Sequence, residues 1–173
     1  TRHQTGLHLR AKQSIAERRE LVIPAWIGDP IDMPNPPHAR DEEGRLHWGR
    51  QIDRPMRRVG LRDIEVERYF GTYQPDLYAQ DEAGELLIEV RVTHAVDDRK
   101  AARVQGQGRR MVEIDLSQLH RNTPHDQNAF EQAVLFDPVN RSWISCPEAV
   151  ADWQASKRDL EEQVAVRNGE IAQ

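Results

Sequence analysis

The sequence predicts an α+β fold with a mixed sheet, in the order helix, three antiparallel strands, helix, strand. Three observations predict it. The chain begins with an amphipathic helical segment, and residues 63–93 contain three apolar runs separated by two turn sequences. A capped helical segment at 97–106 then precedes an apolar run at 110–114. Elements in this order form a layered α+β domain rather than an all-α or all-β one.

The first helix is predicted over 5–19, where Leu7, Ala11 and Ile15 recur every four residues and form one face. His8 and Lys12 are a second pair with the same spacing, beside that stripe. A short strand follows at 21–23 and ends at Pro24.

Residues 24–58 differ from their surroundings in composition, because prolines interrupt the segment and Asp and Arg fill the intervals. We expect an ordered insertion here, with a strand near 46–48. The segment shows no internal repeat and no low-complexity tract.

The central segment predicts strands at 63–70, 73–80 and 85–93, joined by turns at 71–72 and 81–84. Asp97 is the predicted N-cap of the next helix, which ends near Gly106 and Gly108. The fourth strand is predicted at 110–114.

The remaining sequence predicts a polar loop and two helices. The first, at 124–135, has Thr123 before it, Pro124 at its first position and Asp126 at its third. The second begins at 145–148. Its apolar stripe fits either an edge of the core or a surface for a partner protein or a second copy, and comprises Val150, Trp153, Leu160, Val164 and Ile171.

The length of 173 residues suits one compact domain. We therefore expect a single domain over 1–173, with a core at about 5–23 and 59–117, a Pro-rich insertion at 24–58 and a C-terminal helical extension at 123–173.

Composition excludes several classes of protein. The sequence has no apolar run long enough for a transmembrane span and no apolar signal segment. A single cysteine, Cys146, excludes a disulfide framework and a four-thiolate zinc site, which favours a cytoplasmic protein. The net charge of -5 argues against a basic nucleic-acid coat but not against an enzyme that acts on nucleic acid.

Register arithmetic tests the predicted strands, since directly opposed residues of a hairpin have a constant index sum. The two turns give sums of 143 and 165. Val66 then opposes Leu77, which opposes Ile88. One step along, Ile64, Ala79 and Leu86 form a second apolar row on the same face. A slip of one residue would mix apolar with charged positions, so this register is self-consistent.

The opposite face places three carboxylates, Glu67, Asp76 and Glu89, in one row across the three strands. Like charges in opposed positions destabilise a sheet, whereas a divalent cation prefers carboxylate oxygens as ligands. The alternative is a solvated face on which charges happen to align. Tyr78 and Leu87 share this face, which indicates that it is partly covered.

Three further side chains lie near the row in sequence. Arg91 is two residues beyond Glu89 on the same face, where it would supply positive charge to a phosphate. Lys100 is in the first turn of the following helix, against the helix dipole, and is one of only three lysines among 24 basic residues. His94 ends the third strand and is either a ligand, a base or a simple strand-end residue.

The run Pro75-Asp76 and then Glu89-Val90-Arg91 resembles the PD-(D/E)XK nuclease superfamily. The predicted order of elements is also similar to the restriction-endonuclease-like core of that superfamily. More narrowly, residues 74–117 resemble the nuclease domain of the competence protein CoiA-like group, through Ile-Glu-Val-Arg-Val-Thr-His at 88–94, Lys100 and Val-Glu-Ile-Asp-Leu-Ser at 112–117. The helix with His8 and Lys12 is similar as well.

The resemblance implies a Mg²⁺- or Mn²⁺-dependent hydrolase of phosphodiester bonds in DNA, in competence, repair or defence, with RNA as an open alternative. Asp76 and Glu89, with Glu67, are the implied metal ligands, and Arg91 or Lys100 the implied catalytic cation. His8, Lys12 and His94 are weaker substrate-binding candidates. Arg91 departs from the superfamily, which has lysine there. Lys100 lies where a lysine supplied by the next helix would be; otherwise the chain is a degraded nuclease-like domain that binds nucleic acid or acts as a scaffold.

Overall fold

A computed structural model describes residues 6–93, 96–121 and 126–173. The fold is α+β with a mixed sheet and flanking helices, as the sequence predicts. The helices are α1 (Gly6–Arg18), α2 (Asp98–Gly106), α3 (Ser117–Arg121), α4 (Gln127–Glu131) and α5 (Pro147–Ile171). The strands are β1 (Glu20–Ile23), β2 (His38–Arg40), β3 (Leu46–Trp48), β4 (Arg57–Gly60), β5 (Arg62–Val66), β6 (Leu77–Asp81), β7 (Gly84–Arg91), β8 (Met111–Asp115) and β9 (Arg141–Ser145).

The chain forms two compact units. Unit 1 contains the residues up to Ala25 together with Pro55–Cys146, and unit 2 contains Trp26–Arg54 together with Pro147–Gln173. The expectation of one domain, with 24–58 as an insertion, stays a prediction. None of the described helices is both long and apolar enough to span a membrane.

The sheet of unit 1 has the strand order β5-β6-β7-β8-β9. Strands β7 and β8 are parallel and connected through α2, while the other three neighbouring pairs are antiparallel. The sheet is therefore mixed, as predicted, and its three antiparallel strands β5–β7 are followed by a helix and a further strand. Strands β1 and β4 form a separate antiparallel pair in the same unit.

The β6–β7 hairpin has the predicted index sum of 165 throughout, including Leu77 opposite Ile88 and Ala79 opposite Leu86. These residues belong to the main core of unit 1, together with Ala11 and other residues of α1. The opposite face is also covered, because Tyr78 and Leu87 are buried in a second cluster with Val104 of α2. Apolar burial on both faces explains why this hairpin has one stable register.

The first predicted strand differs from the structure. Val66 does oppose Leu77, but the register shifts between Arg62 and Glu65, so Ile64 is not paired with Ala79. Asp63 has a φ of 53°, in the left-handed region, as expected for a residue at such an irregularity. Val66 is exposed, which corrects its predicted place in a buried apolar row.

Strand β5 also ends earlier than predicted, since Glu67 has a φ of 57°. The residues after β5 nevertheless stay paired with the predicted index sum of 143 as far as the turn at 71–72. The N–H of Glu67 donates to the carbonyl of Asp76 and that of Phe70 to the carbonyl of Tyr73. Gly71, with a φ of 86°, supplies the left-handed residue at the tip.

The segment after β8 contains the other corrections. Helix α4 begins at Gln127 with Asp126 as its N-cap, rather than at 124, and a π-helical turn follows at Gln132–Phe136. Thr123 and Pro124 lie outside the described residues. Helix α3 and strand β9 have no counterpart among the predicted elements. Strand β9 is not predicted because it begins with Arg141, whose buried guanidinium donates to the carbonyls of Val22, Ala133, Val134 and Leu135.

Unit 2 consists of the β2–β3 hairpin, the loops around it and α5. Leu160 and Val164 of the predicted apolar stripe are buried. The Trp153 indole N–H donates to the carbonyl of Pro34 at 2.8 Å, and the Ser156 hydroxyl to the carbonyl of Arg50 at 2.7 Å. Helix α5 therefore packs on β2 and β3 within its own unit.

Candidate active site

Two buried carboxylates lie side by side: that of Asp76, immediately before β6, and that of Glu89, near the end of β7. Each has an exposed fraction of 2%. The backbone N–H of Asp76 donates to Oε1 of Glu89 at 3.1 Å, and the N–H of Val90 donates to Oδ2 of Asp76 at 2.7 Å. Each carboxylate is thus oriented by the backbone of the other strand, and we call these two residues the carboxylate pair.

Helix α1 contributes two side chains to the row of carboxylates. Nε2 of His8 is 3.2 Å from Oδ2 of Asp76, and Nζ of Lys12 is 2.5 Å from Oε1 of Glu67. Residues four apart lie on the same side of a helix, so one face of α1 contacts the carboxylates of both Asp76 and Glu67. His8 and Lys12 are themselves buried.

Helix α2 contributes Lys100. Its Nζ is 2.7 Å from Oε1 of Glu89 and donates to the carbonyl of Gln74 at 3.2 Å. The side chain of Asp97 accepts the backbone N–H of Lys100 as the predicted N-cap. A lysine in the first turn opposes the helix dipole, and the nearby charge of Glu89 offsets that cost.

Two carboxylates of the row have a lysine in contact, since Glu67 faces Lys12 and Glu89 faces Lys100, and Asp76 has the imidazole of His8 beside it. These contacts explain how a sheet tolerates carboxylates in opposed positions, which are destabilising when uncompensated.

The structure does not bring all the predicted residues to this place. Within the described part of the chain, the ion pair of Arg91 is with Asp115 on β8, with Nη1 3.8 Å from Oδ2. Lys100, rather than Arg91, is the cation in contact with Glu89. His94 lies outside the described residues.

The row contains a further acidic residue, Glu113, whose place beside Glu89 the sequence does not predict. It is opposite Glu89 in the parallel β7–β8 register, is buried, and accepts the N–H of Val96 at 2.7 Å through Oε2. Turn lengths fix the register of a hairpin, but they say nothing about a parallel strand that follows a helix. The alternation in Met-Val-Glu-Ile-Asp at 111–115 was the available signal.

The candidate site has two carboxylates close together, which suits a magnesium ion that takes most of its ligands from water and substrate. Among residues 6–93, 96–121 and 126–173, no group of three or more His, Cys, Asp or Glu side chains is arranged to hold a metal ion. Mg²⁺ commonly binds through one or two carboxylates, with waters and substrate phosphates as its other ligands. The carboxylate pair has the donor chemistry for that mode.

Comparison with protein-family models, with curated proteins and with solved structures found no match to this chain.

Proposed function

We propose that this protein is a metal-dependent hydrolase of DNA phosphodiester bonds, with a restriction-endonuclease-like core formed by α1, β5–β7, α2 and β8. The observation that carries the proposal is the contact between Lys100 and the carboxylate pair, at 2.7 Å from Glu89. Two buried acids with one adjacent lysine are the groups that this chemistry needs: ligands for a metal and a cation for the phosphate.

The metal, held by Asp76 and Glu89, would supply a water of lowered pKa and neutralise charge on the scissile phosphate. Lys100 would donate to a phosphate oxygen and stabilise the charge that develops there. His8 keeps the Asp76 carboxylate in position, and Lys12 does the same for Glu67. The backbone bonds between Asp76 and Glu89 hold the two acids in place before substrate binds.

Nuclease activity is the first test. Circular and linear DNA are incubated with Mg²⁺, with Mn²⁺ or with EDTA. We expect cutting with either metal and none with EDTA. Asp76→Asn and Glu89→Gln should each abolish it, because each removes a charged ligand without changing the size of the side chain. Cutting that survives both substitutions would contradict the proposal.

The role of Lys100 is tested against another lysine of the same chain. Lys100→Ala should lower the cutting rate about 100-fold or more, the usual effect of losing one group that stabilises transition-state charge. Lys157, which donates to the carbonyl of His38 in unit 2, is the matched control, and Lys157→Ala should leave the rate unchanged. Equal rates for the two variants would refute the assignment. DNA binding without cutting by the unaltered chain would favour the alternative, a degraded nuclease-like domain.

A further inference from the structure

The turn between β5 and β6, residues 67–76, has aromatic and basic side chains at its tip. Phe70 stacks on Tyr73 with ring centroids 5.6 Å apart and 14° between their planes. The guanidinium of Arg109 lies 4.3 Å from the Phe70 ring centroid, and that of Arg68 lies 5.3 Å from it. Arg68 is also 4.5 Å from the ring of Tyr78. Rings thus hold two guanidinium groups in fixed places.

Tyr69 has a different environment from Phe70. It is 68% exposed, and among the described residues no ring or guanidinium lies against it. Its hydroxyl donates to the carbonyl of Gly71, which fixes the orientation of the ring. An exposed aromatic ring held in one orientation is a surface on which a planar group can stack at low entropic cost.

Helix α2 extends the positive charge from this tip to the carboxylate pair. Arg103 donates to the carbonyl of Thr72 at 3.0 Å, and Lys100, one helical turn earlier, contacts both Gln74 and Glu89. Two carboxylates border these cations, since Glu65 pairs with Arg68 at 3.2 Å and Glu85 pairs with Arg109. The Arg68–Glu65 pair is exposed and the Arg109–Glu85 pair is partly exposed, and ion pairs in contact with solvent are weak, so a phosphate can replace the carboxylate.

We propose that these residues form a binding strip for single-stranded DNA beside the carboxylate pair. The binding strip consists of Arg68, Tyr69, Phe70, Lys100, Arg103 and Arg109. The inference rests on the proposed function and adds the class of substrate to it.

The chemistry favours a single strand over a duplex for two reasons. A ring such as Tyr69 stacks on a base only when that base is unstacked from its neighbours, as it is in single strands. The chain as a whole has a net charge of -5, which gives no broad positive surface for the two phosphate backbones of a duplex. Stacking on Tyr69 with phosphates along α2 would direct a strand toward Asp76 and Glu89.

Binding is measured by fluorescence anisotropy in EDTA, so that no cutting occurs. The probes are a fluorescein-labelled oligothymidylate of about 16 nucleotides and a duplex of equal length. Tyr69→Ala should weaken single-strand binding about 5- to 150-fold, the range for one stacked base. Arg103→Gln should weaken binding and lower the salt slope by about 0.7, whereas Arg103→Lys should retain the slope. Trp48→Ala and Arg158→Ala, an exposed aromatic residue and an exposed arginine of unit 2, are the controls and should bind normally.

Equal or tighter binding of the duplex, or losses in Tyr69→Ala and Arg103→Gln no larger than those of the controls, would overturn the binding strip. Metal-dependent cutting would still support the proposed function in that case. Conversely, single-strand binding that depends on Tyr69 and Arg103, without cutting of any substrate, would support the strip and overturn the proposed function.

Discussion

Unit 1 contains a buried ion pair between two side chains of opposite charge. Arg110 and Asp81 form a two-pronged ion pair, at 2.8 and 3.0 Å, and both are buried. The Asp81 carboxylate also makes a local hydrogen bond, since its Oδ1 accepts the N–H of Ala83 in the β6–β7 turn. The Asp81 side chain therefore links the β6–β7 turn to Arg110, the residue immediately before β8.

We predict that Asp81→Ala lowers the free energy of unfolding by about 3–5 kcal/mol, since it removes the carboxylate that accepts two hydrogen bonds from the buried Arg110 guanidinium. The double variant Asp81→Leu, Arg110→Met should be clearly more stable than Asp81→Ala, because it removes both charges. Urea unfolding measures both. Glu20→Ala, which removes the partner of the exposed Arg58, should cost under about 1 kcal/mol. A loss in Asp81→Ala as small as that of Glu20→Ala would contradict the prediction.

At the scale of elements, sequence reasoning succeeds where apolar residues alternate on both sides of a short turn. The β6–β7 register follows from Leu77, Ala79, Leu86 and Ile88, whose burial penalises any slip. It fails for β9, because Arg141 is buried and the residue type gives the opposite expectation.

The candidate site divides in the same way. Turn lengths place Asp76 opposite Glu89, and the scarcity of lysine in the chain singles out Lys100, whose contact with Glu89 the structure shows. Glu113 could not be placed, because its strand is parallel and follows a helix. The pairing of His8 with Asp76 depends on how α1 packs on the sheet, which no local pattern encodes.

The β2–β3 hairpin of unit 2 has a titratable group at its turn. His47 lowers the pKa of the Asp41 carboxyl below its usual 3.8 through a hydrogen bond of 2.9 Å, and backbone N–H groups of Arg45 and Glu43 lower it further. A carboxyl with a depressed pKa in the folded state adds stability above its unfolded pKa and loses it as pH falls through the folded value.

We therefore predict that the hairpin loses stability and opens as the pH falls below about 4. Amide hydrogen exchange at Asp41, whose N–H donates to the carbonyl of Arg45, reports this opening directly. Asp41→Asn should show low protection already at neutral pH and little further change with acid. Asp53→Asn, at an exposed aspartate of unit 2, is the control and should behave as the unaltered chain. An acid response that Asp41→Asn leaves intact would assign it to another group.

At the scale of the whole molecule, the packing of α5 predicts a monomer. Leu160 and Val164 of the helix are already buried, and Val166 is the large apolar residue that it leaves 64% exposed. Sedimentation should give a mass of 20.0 kDa, and Val166→Glu should not change it. A larger mass that Val166→Glu returns to 20.0 kDa would show that α5 is instead a surface for a second copy.

Metal binding should appear in stability as well as in activity, because a ligand that binds only the folded state stabilises it by mass action. Divalent cation at about 100 times its dissociation constant adds about 2.7 kcal/mol. We predict that Mg²⁺ or Mn²⁺ raises the midpoint of thermal unfolding and that Glu89→Gln removes the increase. Glu148→Gln, in the first turn of α5, should retain it. The measurement needs no nucleic acid, so it separates metal binding from catalysis. An increase that persists in both Glu89→Gln and Asp76→Asn would mean that the cation binds elsewhere, and the carboxylate pair would no longer be a metal site.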